Sequence, residues 1–272
     1  SRAAAKAVVN AAGVWSDETR HMAAPAAPRL VAASQGSHVV LDRSFLPSDT
    51  AIMVPKTSDG RVLFDIPWHG HTLVGTTDTP NVPVSLNPKP LEEEIDYLVK
   101  HAARYLDRAP NRADVRATFA GLRPLVKPMG KAGSTAKISR DHCIFVSDSG
   151  LITVVGGKWT TYRKMAEDTV DRAAVVGGFP IRPCLTADLP LLDRPAADEL
   201  GSPEPGWIEP LDPALPEWRV ADAVAAVRLE MAMTEDDVLS RRTRIAFLDE
   251  AAAERCRPRV RQILEQEKNR PT

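Results

Sequence analysis

Residues 151–163 constrain the fold more than any other stretch. Leu151, Ile152, Thr153, Val154 and Val155 form a β-branched apolar run, Gly156, Gly157 and Lys158 interrupt it, and a helical pattern follows Thr160 and Thr161. A strand that ends in a glycine turn and feeds a helix aims free backbone N–H groups and the positive end of the helix dipole at whatever lies there. Two successive glycines admit positive φ and the close approach of a flat ligand, and Lys158 adds a full positive charge. These residues alone fit either an anion site or a tight β–α connection with a solvated lysine.

The start of the chain is of the same kind. Val8, Val9 and Asn10 read as a short strand that runs into Gly13, Val14 and Trp15 with no element before it, and such a strand must pair with something. Nowhere does a Gly-x-Gly-x-x-Gly follow a strand. The expectation is the interior of a larger fold whose earlier part is absent.

Between these ends, 36–41, 51–55, 61–67 and 71–78 alternate or run apolar, with Pro, Asp and Gly clusters between them, which predicts an antiparallel sheet. Leu91, Ile95, Leu98, Val99 and Ala102 recur at helical spacing, with acids early and bases late, which predicts an amphipathic helix crossing that sheet. Further strands are expected over 114–125, 137–140, 143–147 and 151–155, and the helix after Thr161 stops at Gly177 and Gly178. Residues 181–216, rich in Pro and Asp, read as a linker. Helical patterns at 220–231, 234–248 and 250–267 follow, with Thr234 as an N-cap and Asp237 three residues on.

Charge and cysteine usage then exclude several classes. The 35 basic and 36 acidic residues nearly cancel, so nucleic acid is not an expected partner and any anion must be held by particular basic residues. The arginines of the tail are interleaved with acids, as on a solvated helical surface. Three well-separated cysteines, Cys143, Cys184 and Cys256, suit a reducing compartment and show no metal-ligand spacing. No apolar run approaches the roughly 18 residues of a spanning helix, so the chain reads as cytoplasmic or at most peripheral to a membrane.

Seven segments, taken in order, carry a resemblance. They are Val9-Asn10-Ala11-Ala12-Gly13-Val14-Trp15-Ser16-Asp17, Gly36-Ser37-His38, Ile66-Pro67-Trp68, Gly75-Thr76-Thr77-Asp78, Gly121-Leu122-Arg123-Pro124-Leu125, Ser139-Arg140-Asp141, and Gly156-Gly157-Lys158-Trp159-Thr160-Thr161-Tyr162-Arg163. Together they resemble the FAD-dependent glycerol-3-phosphate dehydrogenases, and the run from Glu230-Met231-Ala232 through Asp237 to Arg244 resembles that family's C-terminal helical domain. The first segment alone recurs across glycine-oxidase-like flavoproteins; Arg123, Arg140 and the last segment are far more specific.

The resemblance implies an α+β fold: a largely antiparallel substrate domain, part of a glycine-oxidase-like FAD-binding α/β domain, and a small all-α C-terminal domain. The expected boundaries are 1–35 and 146–180 for the FAD-binding part, 36–145 for the substrate domain, 181–216 for the linker and 217–272 for the helical domain. It implies oxidation of sn-glycerol 3-phosphate to dihydroxyacetone phosphate, FAD as cofactor, a quinone as acceptor and peripheral contact with the inner face of the cell membrane. Arg123 and Arg140 would bind the substrate phosphate, His38 would stand near the reacting hydroxyl, Lys158 would bridge substrate and flavin, and Gly13, Trp15, Gly156, Gly157 and Thr160 would line the FAD.

The residue types suit these roles. A phosphate dianion favours the planar fork of arginine. The hydroxyl proton needs a base of near-neutral pKa, for which His69 and His71 rival His38 on spacing. Because the dinucleotide fingerprint is missing, the chain is expected to be the C-terminal part of such an enzyme and incompetent alone, completed by a missing N-terminal half; a homodimer is also open. Two other readings remain: a non-catalytic remnant or partner subunit, and a related flavin oxidase acting on an amine or a 2-hydroxy acid.

Overall fold

The computed structural model describes residues 3–57, 60–80, 82–127, 141–191, 200 and 204–270. Backbone contacts divide the chain into two compact units. One comprises Ser1–Gly36, Thr77–Pro88 and Ala120–Leu191, the other Ser37–Thr76, Lys89–Phe119 and Leu192–Thr272.

In the first unit, β1 (Val8–Asn10) pairs in parallel with β9 (Leu151–Gly156), Val8 opposite Leu151 and Asn10 opposite Thr153. The short opening strand therefore has its partner. Asn10 locks the pairing from its side chain: its amide, buried, donates to the Thr153 hydroxyl at 3.3 Å and to the Ser16 carbonyl at 2.9 Å. β8 (His142–Val146) completes the sheet on the other edge of β9 through a turn at 148–150, where Gly150 takes φ 81°. Each of the parallel strands leads through a single 3-10 turn into a helix, β1 into α1 (Ser16–Ala23) and β9 into α3 (Tyr162–Gly177). α3 ends as predicted. Gly178 adopts φ 66°, Phe179 N–H donates to Ala174 O at 2.8 Å and Gly178 N–H to Val175 O at 3.3 Å, the paired bonds of a left-handed helix stop.

The second unit is built on an antiparallel sheet. β3 (Ile52–Val54), β4 (Leu63–Trp68), β5 (His71–Gly75) and the second half of β2 (Val31–Asp42) lie side by side. The first half of β2 belongs to the first unit, where it pairs with β6 (Thr79–Pro80). β7 (Ala117–Val126) also pairs with β2. Helix α2 (Glu92–Ala102) lays Ile95, Leu98, Val99 and Ala102 on Val39, Leu41, Leu63 and Val74, all buried. Each such fully buried Leu, Ile or Val contributes about 1.5–3 kcal/mol, so this face fixes the strand register. The helix start is anchored by Glu94, whose carboxylate accepts from Leu91 N–H at 2.9 Å and from the buried Ser37 hydroxyl at 2.6 Å.

The same unit contains α4 (Val220–Arg228), α5 (Ile245–Leu248) and α6 (Glu250–Lys268) around a separate apolar core. Trp207 and Leu211, from the Pro- and Asp-rich stretch, are part of that core. Thr234 and Asp237 form the expected cap, hydroxyl to carboxylate at 2.8 Å and Asp237 N–H to hydroxyl at 3.1 Å. The helix expected over 234–248 is broken, however. Asp237–Arg242 is wound as a π-helix, Thr243 N–H reaches back to Val238 O at 2.8 Å, and Arg244 turns to φ 63° before α5 begins.

Candidate active site

His38 lies on β2 in the second unit, opposite Gly75 of β5, which in turn lies opposite Phe64 of β4. The glycine is required by the imidazole: a Cβ at Gly75 would stand 2.0 Å from His38 Cδ2. From the other side the ring stacks on Phe119, with centroids 5.0 Å apart and planes 15° apart. Trp68 and Phe247 pack on Phe119 in turn, at 6.0 and 5.1 Å. His38 is therefore held between a missing side chain and an aromatic cluster. His71 sits four residues before Gly75 on β5, roughly 13 Å along the strand, with Nδ1 2.8 Å from His69 O. His69 occupies the β4–β5 turn at φ 45°.

Arg123 belongs to the first unit and is seated in a similar manner. A Cβ at Gly36 would stand 2.1 Å from its Nη2, so the guanidinium lies flat over a strand glycine. Its Nη2 donates to Thr77 O at 3.0 Å and its Nη1 to the Asp78 carboxylate at 3.3 Å. Asp78 is itself held by the Ser34 hydroxyl. Asp78 has a positioning role that no pattern in the chain assigns, although it closes the Gly75-Thr76-Thr77-Asp78 segment. Arg140 lies outside the described residues.

The remaining predicted residues gather in the first unit, where β1 and β9 end side by side. Gly13 takes φ 57° and has nothing within 4 Å of where a Cβ would point. That open space suits a flat ligand. Gly156 and Gly157, at φ 80° and 79°, have internal reasons as well: a Cβ on the first would meet Asp141 O at 2.5 Å, and on the second Met165 Sδ at 2.3 Å. Lys158 and Thr160 are exposed, Trp15 is half-buried, and Trp159, 85% exposed, stacks on Tyr162 at 5.3 Å.

Two helices follow these strand ends, and their N-termini differ in charge. The first turn of α1 contains Asp17 and Glu18, whereas the first turn of α3 has no acid. Asp17 is committed to the fold. Although burial alone would raise its pKa, hydrogen bonds from Leu30 N–H, Val31 N–H and Arg20 hold it below the usual carboxylate range. The dipole of α3 thus keeps its positive end, with Lys158 next to it.

The FAD dependent oxidoreductase family model matches residues 1–163, and the model for the C-terminal domain of alpha-glycerophosphate oxidase matches residues 197–271. The chain is 36% identical to the probable mitochondrial glycerol-3-phosphate dehydrogenase of Dictyostelium discoideum, a similarity covering 96% of this chain and 47% of that protein. It is 37% identical to the mitochondrial glycerol-3-phosphate dehydrogenase of Mus musculus, over 97% of this chain and 41% of that one. It therefore spans less than half the length of these curated relatives. The X-ray structure of the glycerol-3-phosphate dehydrogenase from Bacillus halodurans complexed with FAD superimposes with a TM-score of 0.73 at 30% identity, over 97% of this chain and 58% of that one. With its first 163 residues matched end to end by the model, the chain belongs to the family of FAD dependent oxidoreductases.

Proposed function

We propose that these residues form the substrate-side part of an enzyme that oxidises sn-glycerol 3-phosphate to dihydroxyacetone phosphate, with a quinone as final acceptor at the inner face of the cell membrane. The observation that carries this is the seating of Arg123, a guanidinium laid over Gly36 and steered by Thr77 O and Asp78. A pre-oriented fork of this kind suits a phosphate, and Arg140 would supply a second. The names of the relatives point the same way.

In this scheme Arg123 and Arg140 hold the phosphate and thereby fix the secondary carbon. His38 accepts the hydroxyl proton as the C–H bond breaks, its ring held in orientation by Gly75 and Phe119. FAD, when bound, supplies the acceptor for the departing hydride. Residues fit to hold it are Gly13, Trp15, Gly156, Gly157, Lys158 and Thr160; the open space at Gly13 and the acid-free first turn of α3 support that assignment. Lys158 and the α3 N-terminus would stabilise negative charge there. Lacking a Gly-x-Gly-x-x-Gly, the 272 residues alone are expected to bind FAD weakly.

The test is reconstitution: co-expression with the fingerprint-bearing half of a relative, followed by assay of glycerol 3-phosphate against a dye acceptor. Turnover is expected, with KM raised about tenfold or more by Arg123→Ala or Arg140→Ala. An unchanged KM in both variants, or a preference for amino acids over glycerol phosphates, would overturn the assignment.

A further inference from the structure

The helical part of the second unit contains an arginine-lined pocket of about 380 Å³ that none of the roles above uses. Arg241, Arg242 and Arg244 line it together with His69, Trp218 and Glu230. The three guanidiniums are not equivalent. Arg241 is paired with Asp237 at 2.9 Å. Arg242 braces the chain, donating from Nε and Nη2 to Glu230 O at 3.2 and 2.7 Å. Arg244 is exposed and has no ion pair among the described residues.

Backbone geometry sets Arg244 apart again. It stands at φ 63°, a left-handed conformation that costs a non-glycine residue about 1 kcal/mol. The π-helical winding of Asp237–Arg242 immediately precedes it, and windings of that kind recur at functional sites. The indole N–H of Trp218, in the same wall, is buried with no acceptor among the described residues. Three forked cations against the carboxylates of Glu230 and Asp237 leave a net positive wall, and a tetrahedral dianion uses several forks where a carboxylate uses one.

We infer that this pocket is a second oxyanion site, separate from Arg123, that takes a phosphate group, and that Arg244 is its principal ligand. The phosphate could belong to free phosphate or a phosphomonoester, or to an anionic lipid headgroup.

The test uses the 272-residue chain with Arg123→Ala and Arg140→Ala, so that the phosphate site proposed for substrate is silent. Calorimetric titration with inorganic phosphate at neutral pH and low salt should show one site, and Arg244→Gly should weaken it about tenfold or more. Glycine suits the left-handed backbone, so this variant should keep its melting temperature while losing the anion. Co-sedimentation with phosphatidylcholine vesicles, with and without phosphatidylglycerol, separates the sources: retention that needs both phosphatidylglycerol and Arg244 identifies a headgroup, and calorimetric binding alone identifies a soluble phosphate. If neither probe binds, or if binding is indifferent to Arg244, the site does not exist. Neither flavin nor turnover enters these measurements, so their failure is distinct from failure of the dehydrogenase assignment.

Discussion

The two faces of the β4–β5–β2 sheet each hold an ionisable side chain, half-buried His38 on one and fully buried Asp65 on the other, and they treat it differently. On one face His38 has a seat: Gly75 gives up its side chain to make room, and Phe119 stacks on the ring. On the other, Asp65 is fully buried in the row Ile52, Asp65, Val74, Val39, under helix α2, and neither of its carboxylate oxygens has a hydrogen-bond partner among the described residues. Burial pushes its carboxyl up to about 6. A carboxyl that the surroundings merely enclose is a load on stability.

The strongest way to break the comparison is His38→Ala in the reconstituted enzyme. A general base contributes on the order of 10²–10⁴-fold, so kcat should fall by that factor while the melting temperature changes little. A kcat within about twofold of the parent would move the base elsewhere, with His71 the next to test.

Asp65→Asn probes the other face and should act on stability alone. The folded carboxyl titrates near 6 against a reference of 3.8, so the unfolded state ionises first as pH rises. Stability is therefore lost between these two values and stays low above them, by about 3 kcal/mol at 1.36 kcal/mol per unit. Asparagine mimics the neutral form, so the variant should be more stable than the parent by about that amount near neutral pH and equal to it below about pH 4. Urea midpoints that shift equally at both pH values would show that Asp65 is not titrating in a dry site.

Gly75→Ala links the faces, because it alters the seat of His38 without touching its chemistry. The new methyl must push the ring, which Phe119 blocks from behind. Misplacing a reacting group by about 1 Å costs up to about 10²-fold, so kcat should fall roughly ten- to hundredfold, with about 1–3 kcal/mol of stability lost to overpacking. Unchanged kinetics would mean that the position of the ring is immaterial to catalysis.

Local chemistry made much of this fold readable. The β-branched run at 151–155 and its glycine turn gave β9 and the start of α3, and Gly177-Gly178 gave its stop, because strand, turn and cap signals are written in neighbouring residues. The break at Arg244 was not readable: Val238, Leu239, Ile245 and Leu248 are all buried and fit an uninterrupted helix equally well by spacing. Trp207 and Leu211 join a core although their neighbourhood has no periodicity. In the site, Gly36 and Gly75 were visible inside strand patterns, but what each makes room for depends on side chains brought in by strand register and tertiary packing. The roles of Asp78 and Asp65 are non-local in the same sense, since only after the strands have paired does one acid meet a cation while the other finds no hydrogen-bond partner among the described residues.

The smallest expected effect, and the finest test, comes from Gly36→Ala on β2. Its added methyl would collide first with the far end of Arg123, at 2.1 Å from Nη2. A long side chain can swing away, so the fold should survive with its melting temperature nearly unchanged. The displaced guanidinium gives up Thr77 O and the Asp78 carboxylate, and with them the orientation that suits a phosphate. KM for glycerol 3-phosphate should then rise roughly three- to tenfold with kcat held, the signature of lost uniform binding, whereas Gly75→Ala should move kcat. If Gly36→Ala lowers kcat and leaves KM alone, Arg123 serves the reacting centre and not the phosphate, and the division of labour between the two glycine seats is wrong.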